Sequence, residues 1–469
     1  MTQQVNQTNK YTALFITAFA SFITPFLGSS INVALPNIGE HFGMGAVTLS
    51  WVTTIYLLSA AVFLIPFGKL ADIYGRRKVF IYGVSVVSVS SLLAVFSPNV
   101  GVFMFLRVLQ GFGSAMIFGT AIAIITSVFP KAERGKAMGI NVASVYIGLT
   151  MGPFVGGILT NQFGWQSIFL AIAPLGLIVT FLSITGLRQE WAEAKNERFD
   201  WQGSIVYGVS LSLFMYGLSV IHEWFGSIFI AAGVLGMVVF VKVEIRKQFP
   251  VFNMNLFLKN RLFAFSSITA LINYSATFGI MFLMSLFLQY VKGMNPQVAG
   301  QVLAIQPVMM ALVSPFAGRL SDKVDPGIIA TIGLFILTVG LATFTTLGEA
   351  TSLVFIGSVL AFYGLGYALF SSPNTNSIMS AVEKKYYGIA SGTVGTMRLI
   401  GQLISMGVVM LIFSLIIGQV EITENNQEEF IDSARISFII FAALGLLGTV
   451  LSAMRIQSQN ISRIFQRNS

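Results

Sequence analysis

Gly68-Lys69-Leu70-Ala71-Asp72-Ile73-Tyr74-Gly75-Arg76-Arg77-Lys78 sets one carboxylate among four cations between two long apolar runs. Each run is long enough to cross a bilayer, so the stretch reads as a very short water-exposed turn between two membrane-spanning helices. Gly68 and Gly75 let helix and loop backbone approach closely, and Asp72 is satisfied only if partners such as Arg76 and Arg77 are held in place. The bland reading is a basic flank that orients any membrane protein. A partial copy, Gly318-Arg319-Leu320-Ser321-Asp322, weighs against it and makes the chain two related halves, each with a latch.

Composition sets the class. Of 469 residues, 55% are hydrophobic and 10% charged, and the mean hydropathy is +0.81, which defines an all-α polytopic membrane protein. There is no cysteine, so disulfide and thiolate-metal chemistry are absent. His41 and His222 fall in short polar connections, so no histidine relay crosses the membrane. The net charge of +9 reports orientation rather than nucleic-acid binding.

Apolar runs place spans near 12–35, 49–69, 79–97, 101–127, 137–160 and 165–187. A polar connector, Arg188 to Asp200, precedes spans near 203–221 and 225–243, and six more follow near 262–290, 298–318, 328–347, 351–372, 388–418 and 435–454. The total is about fourteen. Cations gather in the connections after even-numbered spans and acids in the others, so both termini are expected in the cytoplasm of a multi-pass cell-membrane protein. Gly111-Phe112-Gly113 answers Gly364-Leu365-Gly366 about 250 residues on, as one latch answers the other. The plan is a six-helix bundle over 1–190, a two-helix insertion with connectors over 191–250, and a six-helix bundle with a tail over 251–469.

Charge inside a membrane is costly, and the spans hold only Arg107 and Arg398. Arg107 lies near a span end and can snorkel, whereas Arg398 lies near mid-bilayer and suits a substrate contact or a movable counter-charge. None of the 18 acidic residues falls in a span interior, although pumps of organic cations usually need a carboxylate there. Asn32, Tyr56, Gln110, Asn273, Gln306 and Gln402 stand at membrane depth, where each is first an interhelical hydrogen bond and second a substrate contact. The segment Ser371 to Ser377, with Asn374 and Asn376, is too polar for lipid and reads as a cavity lining or a short helix break. Gly148, Gly152, Pro153, Gly156 and Gly157 in the fifth span serve either close helix packing or a bend. Phosphate-loop, zinc-protease and serine-hydrolase motifs are absent, so neither an enzyme nor a cofactor or metal site is expected.

The latch resembles the loop signature of the major facilitator superfamily between its second and third helices. Leu106-Arg107-Val108-Leu109-Gln110-Gly111 resembles its fourth-helix signature, and Gly148 to Gly157 resembles the fifth-helix signature of its antiporters. The extra central spans, with Asn32-Val33-Ala34-Leu35-Pro36, are similar to the fourteen-span drug:proton antiporter branch. The resemblance implies two bundles rocking about a central cavity, with Asp72 and Arg76 closing the cytoplasmic side and Glu133 as partner of a latch arginine. It also implies that Arg107 couples to protons and that Gly152 and Pro153 form the antiporter bend. Two departures stand out: Leu27 replaces the first-helix acid, and the second latch lacks a basic tail.

The expected function is therefore alternating-access export of hydrophobic small molecules, multidrug type, in exchange for protons. The alternatives are a carrier of an anionic or neutral organic compound, and a receptor or scaffold that does not transport. Expected partners are a small-molecule substrate, protons and the lipid bilayer, with no nucleic acid; nothing in the sequence signals oligomerisation.

Overall fold

The computed structural model describes residues 8–130, 133–195, 197–252, 254–321, 323–383 and 387–467, and among them there are helices but no strands. Helices are what apolar runs must form where no water can satisfy the backbone. In chain order they are α1 (Lys10–Phe42), α2 (Ala46–Tyr74), α3 (Arg76–Ala94), α4 (Val100–Val128), α5 (Arg134–Phe163), α6 (Gln166–Gly186), α7 (Trp201–Ser219) and α8 (Gly226–Arg246). A short α9 (Met254–Lys259) follows, then α10 (Arg261–Thr277), α11 (Gly279–Leu286), α12 (Pro296–Ser321), α13 (Pro326–Phe344), α14 (Leu353–Ser380), α15 (Tyr387–Ile416) and α16 (Gln427–Arg467). Side-chain caps start several of them: Asn9, Asn99, Asp200, Asn260, Asp325 and Ser352 each accept a hydrogen bond from a backbone N–H in the first turn.

Among the described residues, thirteen helical segments are long and apolar enough to cross a membrane, α10 and α11 counting as one. The expected fourteenth is α7, of full length at 19 residues but less apolar because Gln202, Ser204, Tyr207, Ser210 and Ser212 interrupt it. The chain is a multi-pass helical membrane protein.

Its residues form two compact units. The first holds α1 to α8, with Met294–Gln301 and Gln419–Glu421; the second holds α9 to α11, Val302–Gly418 and α16. In the first unit α5 lies against α1 through Gly148, Gly152 and Gly156, one turn apart on one face. A Cβ on Gly148 would stand 2.5 Å from the Phe22 carbonyl oxygen, and one on Gly156 would stand 2.5 Å from the Ser30 Cβ. Small residues that let backbones touch replace the hydrophobic drive that lipid removes.

The same contacts recur in each unit. A Cβ on Gly113 would meet the Gly83 carbonyl oxygen at 2.7 Å, and one on Gly366 would meet that of Gly333 at 2.9 Å. Gly111 presses on the Tyr56 carbonyl and Gly364 on that of Gln306, and Gly148 and Gly401 bear likewise on Phe22 and Leu271. The internal repeat seen in the latches is thus a repeat of helix packing.

Candidate functional site

Three polar centres stand out. At the first latch only Gly75 separates α2 from α3, with φ of +122°, a conformation that only glycine adopts without strain. The sequence suggested a water-exposed turn, but Arg76 is 7% exposed, because the connector after α6 folds back over it. The Arg76 N–H donates to the Trp191 carbonyl at 2.8 Å and the Ala194 N–H to the Asp72 carbonyl at 2.9 Å. The Arg76 guanidinium donates to Asp72 Oδ1 at 2.7 Å and Ser127 Oγ at 2.7 Å, and through two bonds to the Glu193 carboxylate at 2.9 and 3.1 Å. Two-pronged carboxylate pairing fixes direction as well as charge. The backbone N–H of Arg77 donates to Glu190 Oε1 at 2.8 Å, its guanidinium donates to the Ile184 carbonyl at 3.0 Å, and Lys69 pairs with Glu197.

Glu133 is not the partner of a latch arginine: it accepts from Lys10 Nζ at 2.7 Å, which ties the start of α1 to the start of α5. Glu190, Glu193 and Glu197 hold the latch instead. Their presence in one short connector was visible in the sequence, but not the path that folds it back. Gly68 lies on α2, where α4 comes close at Gly119. In the second latch Gly318 and Ser321 lie on α12, and Ser321 Oγ accepts from Asn376 Nδ2 at 3.2 Å. Asp322 lies outside the described residues.

The second centre surrounds Arg107 on α4. Snorkelling is not what this side chain does, since it is 0% exposed. The close approach of Gly111 to the Tyr56 carbonyl draws α4 onto α2 and sets Arg107, one turn earlier, over the Tyr56 ring at 4.6 Å. Arg107 Nε donates to the Val52 carbonyl at 3.0 Å and Nη1 to Gln110 Oε1 at 2.7 Å. Gln110 Nε2 donates to Ser91 Oγ at 3.3 Å, and the Tyr56 hydroxyl donates to Ser114 Oγ at 2.9 Å. Nη2 is buried with no protein acceptor among the described residues. A desolvated guanidinium over an aromatic face gains about 2 kcal/mol, and the remaining N–H suits a water, a carbonyl or an anionic oxygen. In the packing repeat the place of Arg107 is taken by apolar Leu360, one turn before Gly364, so this centre belongs to one half only.

The third centre was not foreseen. The last apolar run ends near residue 454, yet α16 continues and Arg455 is 2% exposed. Its Nη1 donates to Ser266 Oγ at 2.9 Å and Asn374 Oδ1 at 2.8 Å, while Asn374 Nδ2 donates to the Ser266 carbonyl at 3.1 Å. Ser371 to Ser377 therefore does not break the helix. It is continuous α14, and its polarity serves Arg455 and Ser321.

Other expected residues lie apart from these centres. Asn32 Oδ1 accepts from Thr53 Oγ1 at 3.3 Å. Asn273 on α10 is fully buried, and neither amide atom has a protein partner among the described residues; the same holds for Gln306 Oε1. Such groups are what a ligand or buried water satisfies. Arg398 and Gln402 lie one turn apart on α15, half-buried, and Pro153 and Gly157 are buried in α5.

Long apolar helices that hold charge at internal polar centres make a polytopic membrane protein of the helical class. The chain belongs to the major facilitator superfamily, whose family model matches residues 17–406. A riboflavin transporter, RibZ, of Clostridioides difficile is 28% identical over 97% of this chain and 99% of the relative. The multidrug resistance protein Stp of Mycobacterium tuberculosis is 32% identical over 81% of this chain and 71% of the relative. Among solved structures, a bacterial homologue of the human lysosomal transporter Spinster superposes with a TM-score of 0.70 at 15% identity, covering 95% of this chain and 96% of that one. The nucleoside transporter NupG superposes with a TM-score of 0.61 at 14% identity, covering 94% and 99%.

Proposed function

We propose that this protein is an alternating-access exporter of hydrophobic small molecules, of multidrug type and exchanging them for protons, with six-helix bundles over 1–190 and 251–469 and an inserted pair between. The observation that carries the reading is the clasp of Arg76 by Asp72, Ser127 and Glu193. A cation whose second acid, Glu193, is largely exposed gives up that pair at little net cost, as a gate requires. The likeness to Stp supports the multidrug class. On this reading the latch end, with both termini, faces the cytoplasm.

A second reading has its own support. The hydrogen-bond partners of Arg107 include no carboxylate, Leu27 occupies the first-helix acid position, and the full-length relative RibZ is a riboflavin transporter. A neutral or anionic organic compound is then the cargo.

Transport in proteoliposomes with a lumenal pH dye and an imposed pH gradient separates the two. Proton flux driven by a fluorescent lipophilic cation, and lost in Arg107→Ala, supports the exporter reading. Riboflavin movement without proton flux selects the second. If neither probe moves with protein that is folded by thermal melt, both are wrong and the protein is a receptor or scaffold.

A further inference from the structure

Among the described residues only two acids are buried, Asp200 at 8% exposure and Glu244 at 1%. They come from different elements, the connector before α7 and the last turn of α8, and meet over Gly203. A Cβ added at Gly203 would overlap Asp200 Oδ2 and stand 2.5 Å from Glu244 Oε1. Both oxygens are buried and receive no N–H or hydroxyl from the protein among the described residues. Their other oxygens are committed: Asp200 Oδ1 accepts from the Gly203 N–H at 2.9 Å and pairs with Lys247, and Glu244 Oε2 accepts from the Phe252 N–H at 2.9 Å. What remains is one free oxygen from each carboxyl group, both within 2.5 Å of the same point over Gly203. Two desolvated carboxylates cannot both stay ionised at such range.

We propose that Asp200 and Glu244 form a proton-binding site: one proton, carried by Glu244, is donated to Asp200 Oδ2. The charge then closes, with Asp200 anionic, Lys247 cationic and Glu244 neutral. Burial works to raise the Asp200 carboxyl, but the Lys247 ammonium, the Gly203 N–H and the Glu244 contact together hold it below the ordinary aspartate range, which makes Asp200 the acceptor. The other ionisable groups nearby are occupied or turned outward. Tyr207, one turn along α7, gives its hydroxyl to the Ala61 carbonyl, Lys69 of α2 is paired with Glu197, and Lys242 and Arg246 are exposed. Loss of the proton sets two like charges against each other where Asp200 caps α7 and Glu244 holds the segment leaving α8 at Phe252. The proposal stands whatever the substrate.

Infrared spectroscopy of the purified full-length protein in lipid tests it. The carbonyl-stretch band of a protonated carboxyl group is expected at neutral pH, is expected to shift in D2O, and disappears as the pH is raised. Glu244→Gln, whose amide mimics the protonated acid, and Asp200→Asn each remove it. No such band in the wild type, or a band that survives in both variants, overturns the site. Thermal melts give a second readout. Wild-type stability falls as pH rises through release of the shared proton, because only the folded state binds it there. Glu244→Gln flattens that fall, and a fall of equal depth in wild type and variant also overturns the proposal.

Discussion

Arg76 and Glu193, 117 positions apart, are joined by two hydrogen bonds of 2.9 and 3.1 Å, so the connector after α6 is part of the latch. Glu193 is 68% exposed on its side chain and Arg76 only 9%. Solvent screens that pair, and Glu193→Gln is expected to cost about 1 kcal/mol or less. Asp72→Asn is expected to cost somewhat more, about 1–2 kcal/mol, since Asp72 is 38% exposed on its side chain and solvent screens its pair with Arg76 less. Thermal melts in detergent check the order, and equal losses for the two variants would contradict it.

Gly75 has a second constraint besides its backbone. Its added Cβ would overlap the Glu190 side chain, so Gly75→Ala is expected to lift the connector as well as strain the turn by about 1–3 kcal/mol. The chain has no native cysteine, so Trp191→Cys provides a single labelling site. Maleimide labelling there should be faster with Gly75→Ala than without it.

Gln110 orients Arg107. Gln110→Leu preserves much of the volume but leaves a buried N–H of the guanidinium without its acceptor, a loss of about 1–3 kcal/mol. Arg107→Lys retains charge but not the planar fork that reaches the Val52 carbonyl and Gln110 at once. Both variants should fold with a lowered melting temperature and transport less than wild type in proteoliposomes. Wild-type transport by Arg107→Lys would assign this centre to structure alone.

Gly152 tests whether the glycine face of α5 is packing or bend. An added Cβ would overlap the Ser29 hydroxyl and lie 2.9 Å from the Ser29 Cβ. Gly152→Ala is expected to destabilise by about 1–3 kcal/mol through overpacking. Ser29→Ala in the same chain should recover part of that loss, because the hydroxyl goes and the Cβ stays. No recovery would point to the backbone of α5 rather than to its contact with α1.

The membrane helices were legible because hydropathy is a local property that must persist for a full bilayer thickness. Only α7, interrupted by Gln202 and its serines, blurred that signal. The repeat was legible in Gly113 and Gly366 because close backbone approach tolerates little besides glycine. The buried state of Arg455 was not, since an arginine one residue past an apolar run looks like an ordinary basic flank. Nothing local reveals that Ser266 and Asn374 wait for it on other helices.

By itself, then, the sequence determined the class, the order of the helices and the glycine spacings that recur in their packing, all of which follow from apolar runs and short-range spacing. Tertiary structure alone decided which charged groups meet: Glu193 rather than Glu133 for Arg76, Lys247 for Asp200, and the second acid Glu244 against Asp200 over Gly203. The physical reason is that a carboxylate is a ligand for any cation within a few ångströms. Which cation comes that close depends on the path of connectors and the crossing of helices, quantities set by packing over the whole unit.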